Sequence, residues 1–182
     1  MNLQHEHAMD ASAWVRRFAP LIVHGGNVLD LACGNGRHAL FFEAGGWRVM
    51  AVDRDAQALA GLAGHPGIET VEADLEAGAW PLVGRRFDAI VVANYLHRPL
   101  FPRLIGALEE GGVLLYETFM LGNERFGRPS NPDFLLRPNE LLEAFAGRLN
   151  VVAFEQGEVA QPKPAMVQRL CAVRGTGPIL LP

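Results

Sequence analysis

The stretch from Asn27 to Gly36, NVLDLACGNG, constrains the fold most, because a short apolar segment runs directly into a turn of small residues. Val28 and Leu29 are typical of a strand buried on both faces, and Asp30 adds a carboxylate near its carboxyl end. The small residues alternate along the turn, at Ala32, Gly34 and Gly36. Small residues let a ligand approach the backbone, and glycine accepts the φ of a tight turn. Residues 37–43 are predicted to continue as a helix whose free first-turn amides face the same crevice.

Two classes of cofactor use such a strand, turn and helix. The letters GNGRHA fit the G-x-G-x-x-A pattern of dinucleotide sites, which is a weak signal by itself. Asp30 helps to separate the classes, because its carboxylate would repel a pyrophosphate lying over the turn. S-adenosylmethionine brings a sulfonium and an ammonium instead, and a carboxylate attracts both. The residues therefore favour the cationic ligand.

The segment from Asp30 to Gly36, DLACGNG, resembles the D-x-G-x-G-x-G motif of class I S-adenosylmethionine-dependent methyltransferases. Ala32 replaces the first glycine, and alanine does not easily adopt a positive φ. The resemblance covers about residues 8 to 174. Within the superfamily, the chain is similar to the small bacterial, tellurite-resistance-like methyltransferases. It implies an α/β, Rossmann-like, doubly wound fold in a single domain over 1–182. The expected sheet has seven mostly parallel strands, an antiparallel last strand, and helices on both faces.

The hydrophobic pattern along the chain independently alternates strands with helices, which predicts a parallel sheet covered on both faces. Strands are expected at 28–31, 48–52, 68–73, 87–94, 113–118, 149–154 and 165–173. Helices are expected around 14–18, 37–43, 56–62, 99–109 and 138–146. Asp10 is predicted to cap the first helix and Asp55 the third, since aspartate is a favoured N-cap residue.

Polar residues at the ends of the predicted strands are the other candidate cofactor contacts. Asp53, followed by Arg54, ends the second strand, where a ribose needs an acceptor for its hydroxyls. The resemblance implies that Asp74 meets the adenine amino group and that the Leu75 amide meets a ring nitrogen. Asn94 ends the fourth strand, where the cofactor methyl should lie. The full predicted cofactor set is Asp30, Ala32, Cys33, Gly34, Gly36, Asp53, Arg54, Asp74, Leu75 and Asn94.

Several of these residues also have purely structural interpretations. Asp53 could be a helix cap, and Asp74 a solvated turn carboxylate. A catalytic thiol is imaginable at Cys33, but a small residue whose backbone matters is the favoured interpretation. In the superfamily, a helix before the first strand often covers the cofactor, which makes Trp14 and Arg17 possible contacts. Packing of this helix against the sheet is the favoured alternative.

The acceptor side offers fewer signals. Methyl transfer requires the acceptor in line behind the sulfonium, so positioning and desolvation are the protein's main tasks. If the acceptor carries a proton, His97 has a suitable pKa range, and Tyr95 or Tyr116 could orient the acceptor. Alternatively, His97 caps the helix that follows it.

The segment from Met120 to Arg137 has eighteen residues without clear periodicity, and such loops are often functional lids. In this interpretation Arg125 and Arg128 meet an anionic acceptor. The alternative is an ordered surface loop tied down by Phe126 and Phe134.

Composition narrows the class of partner. The net charge is −4 with no basic stripe, which disfavours nucleic acid as a partner. No apolar run approaches the ~20 residues that span a bilayer, and MNLQHEH lacks the features of a signal peptide, so a cytoplasmic protein is expected. His5 and His7 are interpreted as part of a solvated tail, and no metal site is predicted.

A small-molecule acceptor is favoured, and the oligomeric state is left open. An RNA or protein methyltransferase and a non-catalytic cofactor-binding module are the alternatives, with an NAD-dependent enzyme a distant fourth.

Overall fold

The computed structural model describes residues 10–182, so His5, His7 and the first two residues of the predicted 8–174 core lie outside the described residues. Seven strands form one sheet in the order β3-β2-β1-β4-β5-β7-β6. The strands are β1 Asn27–Leu31, β2 Arg48–Asp53, β3 Ile68–Glu72, β4 Phe87–Ala93, β5 Leu108–Phe119, β6 Asn150–Val159 and β7 Ala165–Val173. Strands β1 to β5 pair in parallel, whereas β7 pairs antiparallel with both β5 and β6. The predicted Rossmann-like fold is confirmed.

Helices cover both faces of this sheet. They are α1 Ala13–Phe18, α2 Arg37–Ala44, α3 Ala56–Ala60, α4 Phe101–Ala107 and α5 Glu140–Phe145. Because side chains alternate along a strand, Val28 of β1 packs in the layer that holds α1 and α2. Leu29 and Leu31 pack in the opposite layer, with α4 and α5. All three side chains are fully buried, as the apolar pattern of β1 predicted.

Several predicted element boundaries are wrong, and β5 and β6 are both longer than the predicted 113–118 and 149–154. Ser12, not Asp10, caps α1: the Ser12 hydroxyl accepts a hydrogen bond from the Val15 amide at 3.1 Å. Helix α4 was expected to reach residue 109 but ends at Ala107, because Leu108 already pairs with Phe87 in the sheet. Residues 109–112 are taken up as an irregularity inside β5.

The segment 120–137 is ordered, but its predicted anchors are wrong. Phe126 and Phe134 are 38% and 49% exposed. Leu136 is fully buried and its amide donates to the Phe119 carbonyl at 3.0 Å. Asn123 is also buried, and its side chain donates to the carbonyl of Pro129 at 3.1 Å. Backbone pairing and a buried amide therefore fix the segment, while both phenylalanines remain at the surface.

No helix within residues 10–182 combines the length and the apolar character that a membrane crossing requires. In the same part of the chain, no three His, Cys, Asp or Glu side chains are grouped so that they could hold a metal ion.

Candidate cofactor and acceptor site

A cleft of about 480 Å³ lies at the edge of the sheet where the parallel strands have their carboxyl ends. Residues that follow five different strands line it, which is the place where open α/β sheets bind ligands. The lining residues are Ala32, Asp53, Arg54, Ala73, Asp74, Leu75, Glu76, Asn94, Tyr95, Leu96, Thr118, Phe119, Pro129 and Phe134. Six of the ten predicted cofactor residues are among them.

The turn after β1 is strained at its first small residue. Ala32 has a φ of +55°, although alanine was expected to resist a positive φ. The left-handed conformation costs a residue with a Cβ roughly 1–2 kcal/mol. The turn is held by the Cys33 amide, which donates to the Val52 carbonyl at 3.0 Å, and by the Gly36 amide, which donates to the Cys33 carbonyl at 2.9 Å. The neighbouring strand thus imposes this backbone geometry.

The two glycines of the turn have different surroundings. A Cβ added at Gly34 would have no atom within 4 Å, so this position faces open space. A Cβ added at Gly36 would lie 2.5 Å from the buried side chain of Leu62. The structure therefore places Gly36 against the core rather than in a ligand's path, which corrects its expected role in ligand approach.

Asp30 lies beneath the turn rather than in the cleft. It is 1% exposed, and its carboxylate accepts a hydrogen bond from the amide of Ala39 in α2 at 2.9 Å. Its residue number has the same parity as Val28, so its side chain points to the face that α2 covers. Burial raises the pKa of the Asp30 carboxyl to about 7, against the lowering effect of the Ala39 hydrogen bond. Asp30 therefore holds α2 against β1, and it does not line the cleft as a direct partner of a cation.

His38 is another buried ionisable side chain near this turn, and it was not among the predicted residues. Its Nε2 accepts a hydrogen bond from the Ser12 amide at 3.3 Å, which joins α2 to the cap of α1. Burial lowers the pKa of His38 to about 3, so the ring is neutral at pH 7. A histidine so near a glycine turn looks like a site residue in sequence, but here it joins two helices.

Asp53 lines the cleft and also fixes the turn. One carboxylate oxygen accepts the Gly34 amide at 2.8 Å, and the other accepts the Asp55 amide at 3.0 Å. The cap of α3 is Asp55, whose side chain accepts the amides of Gln57 and Ala58. The helix-cap alternative for Asp53 is therefore wrong.

The β3 side of the cleft is acidic. The Asp74 carboxylate accepts the amide of Glu76 at 2.9 Å, and both side chains line the cleft with Asp53. Arg54 is the one cationic side chain that lines it in the described part of the chain. Three carboxylates against one guanidinium attract a cationic ligand and disfavour a pyrophosphate. Glu76 was not predicted, although its position just after the third strand is a signal that could have identified it.

The β4 side of the cleft carries Asn94 and Tyr95. Asn94 has a φ of +56°, and its amide donates to the Glu117 carbonyl at 2.9 Å. The Tyr95 hydroxyl oxygen is buried and has no hydrogen-bond partner among residues 10–182. Burial, together with the nearby Glu76, raises the pKa of Tyr95, so its hydroxyl stays protonated.

Tyr116 lies in the core beneath the β4 side of the cleft and contacts Tyr95. It is 1% exposed, and its hydroxyl donates to the Tyr95 carbonyl at 2.9 Å. Its predicted contact with the acceptor does not fit this position, because the ring is covered by the core.

Cys33, in the turn after β1, is also buried, and burial raises the pKa of its thiol. These features support the interpretation that Cys33 contributes its backbone.

Three other predicted acceptor-side residues do not line the cleft. His97 lines a neighbouring cavity of about 370 Å³, and its side chain makes no cap hydrogen bond. Arg125 lies 3.6 Å from Glu158 and over the Phe126 ring. Arg128 is exposed, although its neighbour Pro129 lines the cleft.

Helix α1 packs against the sheet, which was the favoured alternative to a contact with the cofactor. The Trp14 indole is 3% exposed and donates to the Leu170 carbonyl at 3.3 Å, while Arg17 is paired with Glu155 at 3.2 Å. Neither side chain lines the cleft. Phe134 does line it, and no local pattern identified its position there.

Comparisons with known proteins agree with this geometry. A family model described as "Methyltransferase domain" matches residues 28–112. A comparison with curated proteins gives no significant match.

Among solved structures, TehB from Haemophilus influenzae superimposes with a TM-score of 0.75 at 20% identity, covering 91% of this chain and 63% of that chain. The chain therefore spans less than two thirds of the length of TehB. The N-methyltransferase NodS from Bradyrhizobium japonicum gives 0.69 at 16% identity, covering 96% of this chain and 98% of that chain. The glycopeptide N-methyltransferase MtfA, complexed with S-adenosylmethionine, gives 0.65 at 21% identity, covering 92% and 88%.

These likenesses show the fold, and the family model covers the segment from β1 through the start of β5 that builds most of the cleft. TehB among the neighbours also agrees, at the level of fold, with the subgroup expected from the glycine motif. Residues 28–112 thus match a methyltransferase domain, and the chain has the fold of the class I S-adenosylmethionine-dependent methyltransferases.

Proposed function

We propose that this protein transfers the methyl group of S-adenosylmethionine to a small-molecule acceptor. The observation that carries the proposal is that residues following five strands line one cleft at the carboxyl edge of the sheet. The cleft's carboxylates suit a cofactor with a sulfonium and an ammonium, and they oppose a pyrophosphate. We also propose that residues 1–182 form a single methyltransferase domain with its core at about 8–174. The cytoplasmic location expected from the sequence stays a prediction.

The proposed roles follow the order of the strands. The open face of Gly34 receives the methionine part, and Asp53 accepts the ribose hydroxyls. Asp74 and the Leu75 amide meet the adenine. Asp53 holds the Gly34 amide at 2.8 Å, so ribose recognition and the shape of the turn depend on the same carboxylate.

The proposed chemistry is an in-line displacement. A lone pair of the acceptor forms a bond to the methyl carbon while the carbon–sulfur bond breaks, and S-adenosylhomocysteine leaves as a neutral thioether. The protein aligns the two reactants and excludes water. We propose that Tyr95 orients the acceptor, because its protonated hydroxyl is buried near Glu76 and makes no well-formed hydrogen bond within the described chain. His97 lies in the neighbouring cavity, so a role in proton removal would require the acceptor to reach that cavity.

A small-molecule acceptor is supported by the cleft's size and by the chain's charge. A volume of about 480 Å³ is within the range of small-molecule sites, and the net charge of −4 opposes binding to polyanions. Two structural neighbours, MtfA and NodS, are described as N-methyltransferases.

Calorimetry tests the cofactor, and isotope transfer tests the acceptor. We expect S-adenosylhomocysteine to bind and NAD to give no measurable heat. Protein incubated with methyl-labelled S-adenosylmethionine and a cell extract should place the label in a small molecule that chromatography separates from the unreacted cofactor, and an extract without the protein is the control. Tighter binding of NAD would overturn the cofactor assignment. Label confined to RNA or protein would support the macromolecular alternative instead, and binding without any transfer would indicate a non-catalytic module.

Replacing Asp53 with alanine should weaken S-adenosylhomocysteine binding at least about tenfold, because charged hydrogen bonds are each worth roughly 1.5–3 kcal/mol. It should also lower stability without cofactor, since the amides of Gly34 and Asp55 lose their acceptor. Asp55→Ala is the matched control: it removes the α3 cap at a cost of about 1 kcal/mol and leaves the affinity near that of the native protein. Calorimetry and urea unfolding measure both effects. Equal affinities of the Asp53 variant and the native protein would exclude the ribose role.

A further inference from the structure

The cleft has an acidic end and an apolar end, separated by the order of the strands. Its carboxylates lie at the end of β2 and after β3, on one side of β1. On the other side of β1, the lining residues in and after β4 and β5 carry no charged side chain. These residues are Leu96, Phe119, Pro129 and Phe134, with Asn94, Tyr95 and Thr118 among them. The adenosine of the cofactor is assigned to the acidic end, so the apolar end remains for the acceptor.

Phe134 lines the apolar end although its side chain is 49% exposed. Its backbone is held on both sides by one side chain: the Arg98 guanidinium donates to the Asp133 carbonyl at 2.8 Å and to the Leu135 carbonyl at 3.0 Å. The next side chain, Leu135, is 1% exposed. The segment therefore buries a leucine and leaves a larger aromatic ring uncovered next to it.

Arg98 is itself fixed by a second group. It donates to both carboxylate oxygens of Glu140, at 2.6 and 3.0 Å, and Glu140 is 5% exposed. The Arg137 amide donates to the same carboxylate at 2.7 Å. Bidentate pairs of this kind fix direction as well as distance. The backbone on both sides of Phe134 is therefore fixed by Arg98, which is itself fixed by Glu140. Such neighbouring contacts are expected around a side chain that binds a ligand in a defined position.

We infer that Phe134 contacts the methyl acceptor and selects one whose contacting part is neutral and aromatic or otherwise apolar. The inference rests on the proposed function. An anionic acceptor has little support at this end, because Arg125 is paired with Glu158 and neither Arg125 nor Arg128 lines the cleft. A cationic acceptor would meet the sulfonium of the cofactor. A neutral aromatic ring can stack on phenylalanine. It needs no cationic partner in the cleft, and the sulfonium does not repel it.

The probes are 2-naphthol and 2-naphthoate, which share a ring system and differ in charge at neutral pH. Each is titrated by calorimetry into the full-length protein saturated with S-adenosylhomocysteine. We expect 2-naphthol to bind and 2-naphthoate to bind about tenfold more weakly or not at all. Phe134→Ala should weaken 2-naphthol binding roughly tenfold. Phe126→Ala is the matched control, since Phe126 belongs to the same segment, is 38% exposed and does not line the cleft.

The native protein's affinity for S-adenosylhomocysteine distinguishes failure of the proposed function from failure of the acceptor preference. If this ligand does not bind, the proposed function itself fails. If it binds while 2-naphthoate equals or exceeds 2-naphthol, the acceptor end is not selective for neutral ligands. The inference is also overturned if 2-naphthol does not bind, or if the two alanine variants bind it equally.

Discussion

Gly36→Ala is expected to lower the free energy of unfolding by about 2–5 kcal/mol. Its φ of +74° costs an alanine roughly 1–2 kcal/mol, and overpacking a dense core adds about 1–3 kcal/mol. The added methyl would lie 2.5 Å from the Leu62 side chain, which is 1% exposed. Urea unfolding without cofactor measures the change.

Gly34→Ala is the matched control in the same turn. Its φ of +53° imposes a similar backbone cost, but an added Cβ would have no atom within 4 Å. We therefore expect a loss of only about 1–2 kcal/mol, accompanied by weaker S-adenosylhomocysteine binding. A double variant, Gly36→Ala with Leu62→Ala, should recover part of the Gly36 penalty because the clash is removed. Equal destabilisation by the two single substitutions, or strict additivity with Leu62→Ala, would show that contact with Leu62 does not matter.

Arg98→Ala is expected to lower the free energy of unfolding at pH 7 by about 2–3 kcal/mol. Breaking a fully buried pair costs about 3–5 kcal/mol, and the smaller figure applies because the Arg98 side chain is 38% exposed. The loss arises mainly because the Glu140 carboxylate, 5% exposed, keeps its charge without its main partner. The same variant should bind 2-naphthol more weakly and S-adenosylhomocysteine normally, since Phe134 loses its support while the acidic end of the cleft is unchanged.

Acid dependence provides a second measurement for this pair. Burial raises the pKa of Glu140, but the hydrogen bonds from Arg98 and Arg137 outweigh it and hold that pKa below its ordinary value. A lowered carboxyl pKa stabilises the folded state above the ordinary pKa of about 4.3, and this contribution is lost as pH falls through the folded value. Arg98→Ala should therefore flatten the stability curve below about pH 4.3.

Two controls accompany the Arg98 variant. Adding Glu140→Gln to Arg98→Ala should recover part of the loss, because no buried charge is then left unpaired. Arg85→Ala removes an exposed pair with Glu69 at 3.1 Å and should cost at most about 1 kcal/mol. If Arg85→Ala and Arg98→Ala destabilise the protein equally, the Arg98 pair is an ordinary surface contact.

The fold and the position of the cleft could be predicted from sequence, because both depend on short-range patterns. The buried residues 28–31 of β1, the glycine turn and the Asp55 cap are each encoded within a few consecutive residues. Parallel strands present their carboxyl ends at one edge, so locating those ends also located Asp53, Asp74 and Asn94 beside one another. No knowledge of distant contacts was needed for these predictions.

Only the tertiary structure decided how individual side chains are used. The face to which Asp30 points depends on which helix covers β1, and the role of Gly36 depends on Leu62, twenty-six positions further along the chain. Phe134 enters the cleft because Arg98 bonds the carbonyls beside it and pairs with Glu140, 42 positions away. Local propensity carries no information about such contacts, since each forms only after the sheet has brought distant segments together.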